Sequence, residues 1–155
     1  MVKSGRRLAR EYALQTLYAY EMTHNPIEEV IEDVVNSGIE DKKTRRFAET
    51  LIRQIVDHQR EIDRMIRKKA LNWDFTRIAI IDKLILRMGI TEFLYFEDIP
   101  PKVTINESIE IAKRFSTEKS GSFINGILDS ILSDLKDAGK LHKSGRGLLD
   151  VKADS

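Results

Sequence analysis

GRRLAREYALQTLYAYEM, residues 5–22, changes character halfway along, and that change decides how the chain is read. At ~100° per residue, Lys3, Arg6, Arg7 and Arg10 fall within roughly a third of a helix circumference, so the first turns carry a basic tip. From Tyr12 onward, Ala13, Leu14, Leu17, Tyr18, Ala19, Tyr20 and Met22 point in nearly every direction around the axis. A helix that is apolar all round must be sunk among other helices. The stretch predicts a buried rod holding up a charged end. The functionless reading of those arginines is a solvated, snorkelling helix end.

Downstream the helical period continues, broken by short connections. At the first break Asn25 is expected to cap a second helix and Pro26 to take its first position, with Glu28 and Glu29 placed well against the positive end of the helix dipole. Ile27, Val30, Ile31, Val34 and Val35 share one face of that helix, and Ser37-Gly38 ends it. Residues 40–69 form the longest periodic segment, with Phe47, Ala48, Leu51, Ile52, Ile55, Ile62, Met65 and Ile66 spaced at three and four. Its other face is charged. Lys42, Lys43, Arg45 and Arg46 there look like a second basic cluster, but Glu40, Asp41 and Glu49 interleave with them, and the reading is a solvated face.

Asn72, Trp73 and Asp74 interrupt the pattern; Trp73 reads as a core plug and Asp74 as the cap of a short turn carrying Phe75, Ile78, Ala79 and Ile81 inward. Residues 82–96 are strongly apolar and predict the centre of a bundle, with Gly89 admitting a close neighbour. Pro100 and Pro101 stop that helix. Another resumes near Val103 and breaks at Ser116-Thr117. Thr117 then caps a last helix whose stripe runs from Phe123 and Ile124 to Leu135, and Gly139 closes it. The expected architecture is all-α, about seven helices, one domain over residues 1–139 and a mobile tail over 140–155.

Composition narrows function mostly by exclusion. Lys and Arg number 26 against 25 for Asp and Glu, a formal charge of +1 in 155 residues, so any nucleic-acid site must be a local patch. With no cysteine there are no disulfides, thiolate metal sites or cysteine nucleophiles. No apolar run reaches the roughly 20 residues of a membrane span and no signal-peptide core opens the chain, so the expectation is a cytoplasmic protein without membrane contact. His24, His58 and His142 lie in separate segments, none with a nucleophile and base arranged around it. Asp57, His58 and Glu61 could be drawn as a metal trio, but a lone histidine among surface carboxylates reads as a bystander. The expectation is a binding protein, not an enzyme, with no catalytic residues, no metal and no cofactor.

Three separated segments carry something more specific: RRLAREYALQTLYAYE; Trp73 through IAIIDKLILRMGITEFLYF; and IPPKVTINESIEIAKRF joined to TEKSGSFINGILD. In this order, over residues 6–129, they resemble the bacterial transcription antitermination factor NusB family. The resemblance implies two packed helical sub-bundles. It also implies binding of the single-stranded boxA element of ribosomal RNA transcripts together with NusE, a small-subunit ribosomal protein, within the RNA polymerase antitermination complex. Carried over by position, Lys3, Arg6, Arg7 and Arg10 would face phosphates, while the start of the last helix would complete the RNA site through Phe123 and Lys119. Some relatives are acidic where Lys119 stands. The family pattern puts Tyr18 and Asp82 at the NusE contact.

Each residue has a plainer reading. Phe123 opens an apolar stripe and could be core, Tyr18 could lie ring-in and hydroxyl-out, and Asn106 and Asn125 suit backbone hydrogen bonding. The competing function is a purely protein-binding helical accessory module without RNA contact, since fold does not fix function. Some family members form homodimers, and an exposed apolar face around Tyr18 or Leu14 could serve a twin or NusE.

Overall fold

The computed structural model describes residues 4–70 and 75–149; Lys3, Asn72, Trp73, Asp74 and the last six residues lie outside that set. Among the described residues are six α-helices and no strand: α1 (Gly5–Thr23), α2 (Ile27–Ile31), α3 (Lys42–Lys69), α4 (Ile80–Tyr95), α5 (Pro101–Phe115) and α6 (Glu118–Asp137). The short turn expected near Phe75 is a three-residue 3-10 turn, Phe75–Arg77, with α4 following at Ile80. The chain divides into two compact units, Met1–Asp57 and His58–Ser155. Helix α3 belongs to both. Its helical geometry is interrupted at His58 (φ −116°, ψ 15°), the first residue of the second unit.

In the first unit, Ser4 caps α1, its hydroxyl accepting from the Arg7 backbone N–H at 3.2 Å. Ala9, Ala13, Leu14 and Leu17 of α1 are buried, as are Val30, Ile31, Val35 and Ile39, and Ala48, Leu51, Ile52 and Ile55 of α3. This is the core the helical period predicted. His24 ends α1 in the left-handed region (φ 57°) and donates its N–H to the Tyr20 carbonyl. The next cap falls one residue later than expected. Asn25 donates its N–H to Thr23 Oγ1, and Pro26 itself takes the extended cap position (ψ 137°), so Ile27 is the first helical residue. Glu28 lies in the first turn as expected and is bridged by the Arg53 guanidinium. α2 continues through a π-helical turn, Glu32–Asn36, before α3.

The second unit is built on α4, where every residue from Leu84 to Phe93 is buried. Helices α5 and α6 pack on it and on each other. A Cβ at Gly89 would lie 3.0 Å from both Leu128 methyls, so the close approach of α6 anticipated at this glycine occurs. α5 begins at Pro101, two residues before the expected start, because proline suits the first helical position and only forces its predecessor, Pro100, to be extended (ψ 137°). Thr117 caps α6 by accepting from the Ser120 N–H at 3.2 Å, and Gly139 (φ 67°) closes it while Lys140 N–H reaches the Leu135 carbonyl.

Residues 141–149, assigned to the tail from sequence, make their own contacts. Lys143 Nζ donates to the Glu92 and Phe96 carbonyls at 2.9 and 2.8 Å, and Ser144 N–H donates to the Glu97 carbonyl at 3.0 Å. The Glu92 and Phe96 carbonyls also accept from the Phe96 and Ile99 N–H groups, each at 3.2 Å, so Lys143 is a second donor to each at the end of α4. A 3-10 turn, Gly145–Leu148, follows.

Candidate nucleic-acid interface

The basic start of α1 is held against α3 within the first unit. The Arg6 guanidinium carbon lies 4.8 Å from the centre of the Phe47 ring, and that of Arg10 lies 5.5 Å from it. At these distances the ring quadrupole attracts both cations. Arg6 and Arg7 sit a turn or less from the helix start, the first exposed and the second half-buried, whereas Arg10 is only 4% exposed. The arginines are thus graded. Arg6 presents charge to solvent, and Arg10 contributes chiefly to packing between α1 and α3. Glu11, beside Arg10 in sequence, is buried as well.

In the second unit the start of α6 is organised by Asp82. Its two carboxylate oxygens accept from Ser116 Oγ at 3.0 Å and Ser120 Oγ at 2.9 Å, and the two hydroxyls lie 2.8 Å apart. Asp82 is 7% exposed, so the carboxylate expected at a partner surface is turned inward onto the α5–α6 junction. Lys119 stands exposed in the turn so fixed, and Phe123, one turn on, is half-buried. Phe123 is therefore neither a fully submerged core residue nor a wholly presented ring.

Tyr18 and Met22, one turn apart on α1, are 41% and 52% exposed. Leu14 is 1% exposed, which removes it from the apolar face considered for a partner and leaves the pair nearer the helix end. The sequence reading put Lys3, Arg6, Arg7, Arg10 and Tyr18 ahead of residue 57 and Asp82, Lys119 and Phe123 after it; the described ones fall accordingly in the first and second units.

Among the described residues no three His, Cys, Asp or Glu side chains could hold a metal ion. His58 instead stacks on Tyr95, with centroids 4.2 Å apart, and the Tyr95 hydroxyl donates to Glu61 at 3.3 Å. Burial and then the Glu61 charge push the Tyr95 phenol up from its usual range. A cavity of 460 Å³ beside the Lys69–Asp134 ion pair is floored by Met65, Ile131 and Leu135 and contains none of the expected site residues.

Several organising residues escaped the sequence reading. Asp63 of α3 is paired in two bonds with Arg87 of the central helix, at 2.8 and 3.0 Å, both nearly buried. Thr104 Oγ1 donates to the buried Glu92 at 2.8 Å. The available signal was the charge itself: Arg87 and Glu92 interrupt the mostly apolar run over residues 84–96 and so call for partners. Nothing in one dimension says which. Phe47 was read as stripe, and only the approach of α1 makes it a platform.

A family model described as the NusB family matches residues 7–133. The transcription antitermination protein NusB of Salinibacter ruber is 50% identical over 149 residues, covering 96% of this chain and 93% of the relative. Among solved structures, NusB of T. maritima aligns with a TM-score of 0.77 at 36% identity, covering 86% of this chain and 94% of that one. A chain in the crystal structure of antitermination factors NusB and NusE in complex with dsRNA aligns with a TM-score of 0.77 at 27% identity, covering 84% of this chain and 97% of that one. Matched along most of its length by the family model and half identical to a curated relative, the chain belongs to the NusB family.

Proposed function

We propose that this protein is a cytoplasmic transcription antitermination factor that binds single-stranded boxA RNA of ribosomal RNA transcripts together with NusE and promotes read-through by RNA polymerase. It acts by binding, without catalysis or cofactor. The observation that carries this reading is the cationic start of α1, with Arg6 exposed over Phe47, in a chain half identical to an antitermination protein. An unpaired strand is gripped by cations on its phosphates and by stacking on splayed bases. Lys3, Arg6, Arg7 and Arg10 supply the first; Lys119 supplies a further cation and Phe123 a ring for stacking. Tyr18, with Met22 one turn on, is the contact for NusE in the first unit, and Asp82, put at the NusE contact by the family pattern, fixes the start of α6 in the second.

A titration of the full chain at moderate salt, with and without NusE, tests this against a boxA-like oligomer, a scrambled oligomer and a duplex of the same sequence. The relative of known structure was crystallised with dsRNA, so the duplex arm is needed. Preference for the boxA strand, strengthened by NusE, is the expected result. Equal or absent binding to all three with NusE present refutes it and favours the protein-binding module, for which the exposed Tyr18 and Met22 pair would be the docking face.

A further inference from the structure

Within the first unit, the starts of α1 and α3 meet. A Cβ at Gly5 would lie 2.8 Å from Thr44 Oγ1, and Arg6 and Arg10 of α1 lie over Phe47 of α3. Two basic clusters that are more than 30 residues apart in sequence are thereby joined: Arg6 and Arg7 on one side, Lys42, Lys43 and Arg46 on the other. Lys42, Lys43, Arg46 and Arg6 are all exposed.

The acids that made the second cluster look like an ordinary solvated face are largely engaged. Asp41 spends its carboxylate on capping α3, accepting from the Thr44 N–H at 2.9 Å and the Thr44 hydroxyl at 2.6 Å. Glu49 is half-buried and lies within the field of Arg53. Over residues 4–11 and 40–49, seven basic side chains face four acidic ones, in a protein whose whole formal charge is +1. The local excess of three positive charges is larger than that of the whole chain.

The placement also runs against helix stability. Neither α1 nor α3 has an acidic residue in its first turn, and both place cations there instead. Cations at the positive end of a helix are unfavourable, because they face the partial positive charge of the unpaired N–H groups. At α3 the Asp41 cap offsets this, but at α1, whose cap Ser4 is neutral, no carboxylate stands at the helix start, a broken local rule of the kind found where an external anion completes a site.

We propose that the Lys42, Lys43 and Arg46 surface binds the phosphates of RNA nucleotides flanking the recognised element, so that the first unit holds a longer stretch of strand than the α1 tip alone reaches. The inference rests on the RNA-binding reading above and extends it. Binding at this surface is independent of base sequence, because side chains with no base edge to read supply only charge. It makes the protein a better ligand for the element embedded in a transcript than for the element excised.

The test compares a boxA-like core oligomer with the same core extended by oligouridylate, first on one end and then on the other, with NusE present throughout. The proteins are the full-length chain, a Lys42→Ala/Lys43→Ala/Arg46→Ala variant, and a Lys42→Arg/Lys43→Arg variant. The extended RNA should bind the unmodified chain more tightly than the core does, the alanine variant should lose that gain while keeping its affinity for the core, and the arginine variant should keep both. Three phosphate contacts at about 0.7 each make the salt slope on the extended RNA about 2 units shallower in the alanine variant. Between 50 and 200 mM salt, the unmodified chain should then lose about 16-fold more affinity than the variant. A gain retained by the alanine variant overturns the proposal. So does tight core binding with no gain from either extension, which leaves the RNA reading intact. No binding of core or extended RNA by the unmodified chain overturns both.

Discussion

Replacing Asp82 separates an inward role from an outward one. Asp82→Ala removes two hydrogen bonds to a charged acceptor, from Ser116 Oγ and Ser120 Oγ, at a site that is 7% exposed. Such bonds contribute about 1.5–3 kcal/mol each, but the two hydroxyls keep each other and Thr117 Oγ1 as partners, so a combined loss of about 3 kcal/mol is expected. For a chain of this size that is about 6–12 °C in Tm, read by circular dichroism at 222 nm. Asp82→Asn keeps the shape and one acceptor and should recover about half of the loss. Binding of RNA and of NusE should weaken in proportion to disorder at the start of α6, and lowering the temperature should restore part of it. An Asp82→Ala protein with unchanged Tm that nevertheless fails to bind NusE would refute the inward role and put the carboxylate on the partner.

Three further outcomes follow from named contacts. Arg6→Ala should make the salt dependence of RNA binding shallower by about 0.7 with little change in Tm, whereas Arg10→Ala should lower Tm by about 4–8 °C through lost packing over Phe47; equal behaviour of the two would contradict their difference in burial. Asp63→Ala leaves the Arg87 guanidinium buried without its carboxylate and should cost about 3–5 kcal/mol in chemical denaturation, while the paired change Asp63→Leu with Arg87→Met should be close to neutral or stabilising. Burial holds the Lys143 ammonium at about 8, below its usual 10.5. The unfolded chain therefore binds the extra proton between those values, and the stability contributed by Lys143 should rise as pH goes from about 8 to 10.5. Thermal melts of the unmodified chain and of Lys143→Met across that range should diverge in favour of the former; convergence would refute the buried contact to the Glu92 and Phe96 carbonyls.

The sequence by itself determined the helices, because the signals are local. Apolar spacing at three and four fixed which faces of α3 and α6 are buried, Thr117 and Gly139 marked the ends of α6, and Gly89 marked a close crossing, whereas the second half of α1, expected to be sunk on all sides, leaves Tyr18 and Met22 exposed. Boundary errors were of one or two residues, at Pro26 and Pro101, which each admit two neighbouring cap positions, and at α4, which begins two residues before Asp82. Composition excluded cysteine chemistry, and three ordered segments carried the family. Tertiary structure alone decided which charges matter. A guanidinium or carboxylate looks the same in sequence whether it is solvated or paired, since its partner comes from another helix: Asp63 with Arg87, Asp82 with Ser116 and Ser120, Arg6 and Arg10 with Phe47. The two basic clusters likewise become one surface only because α1 and α3 begin side by side, and electrostatic potential depends on distance in space, not on separation along the chain.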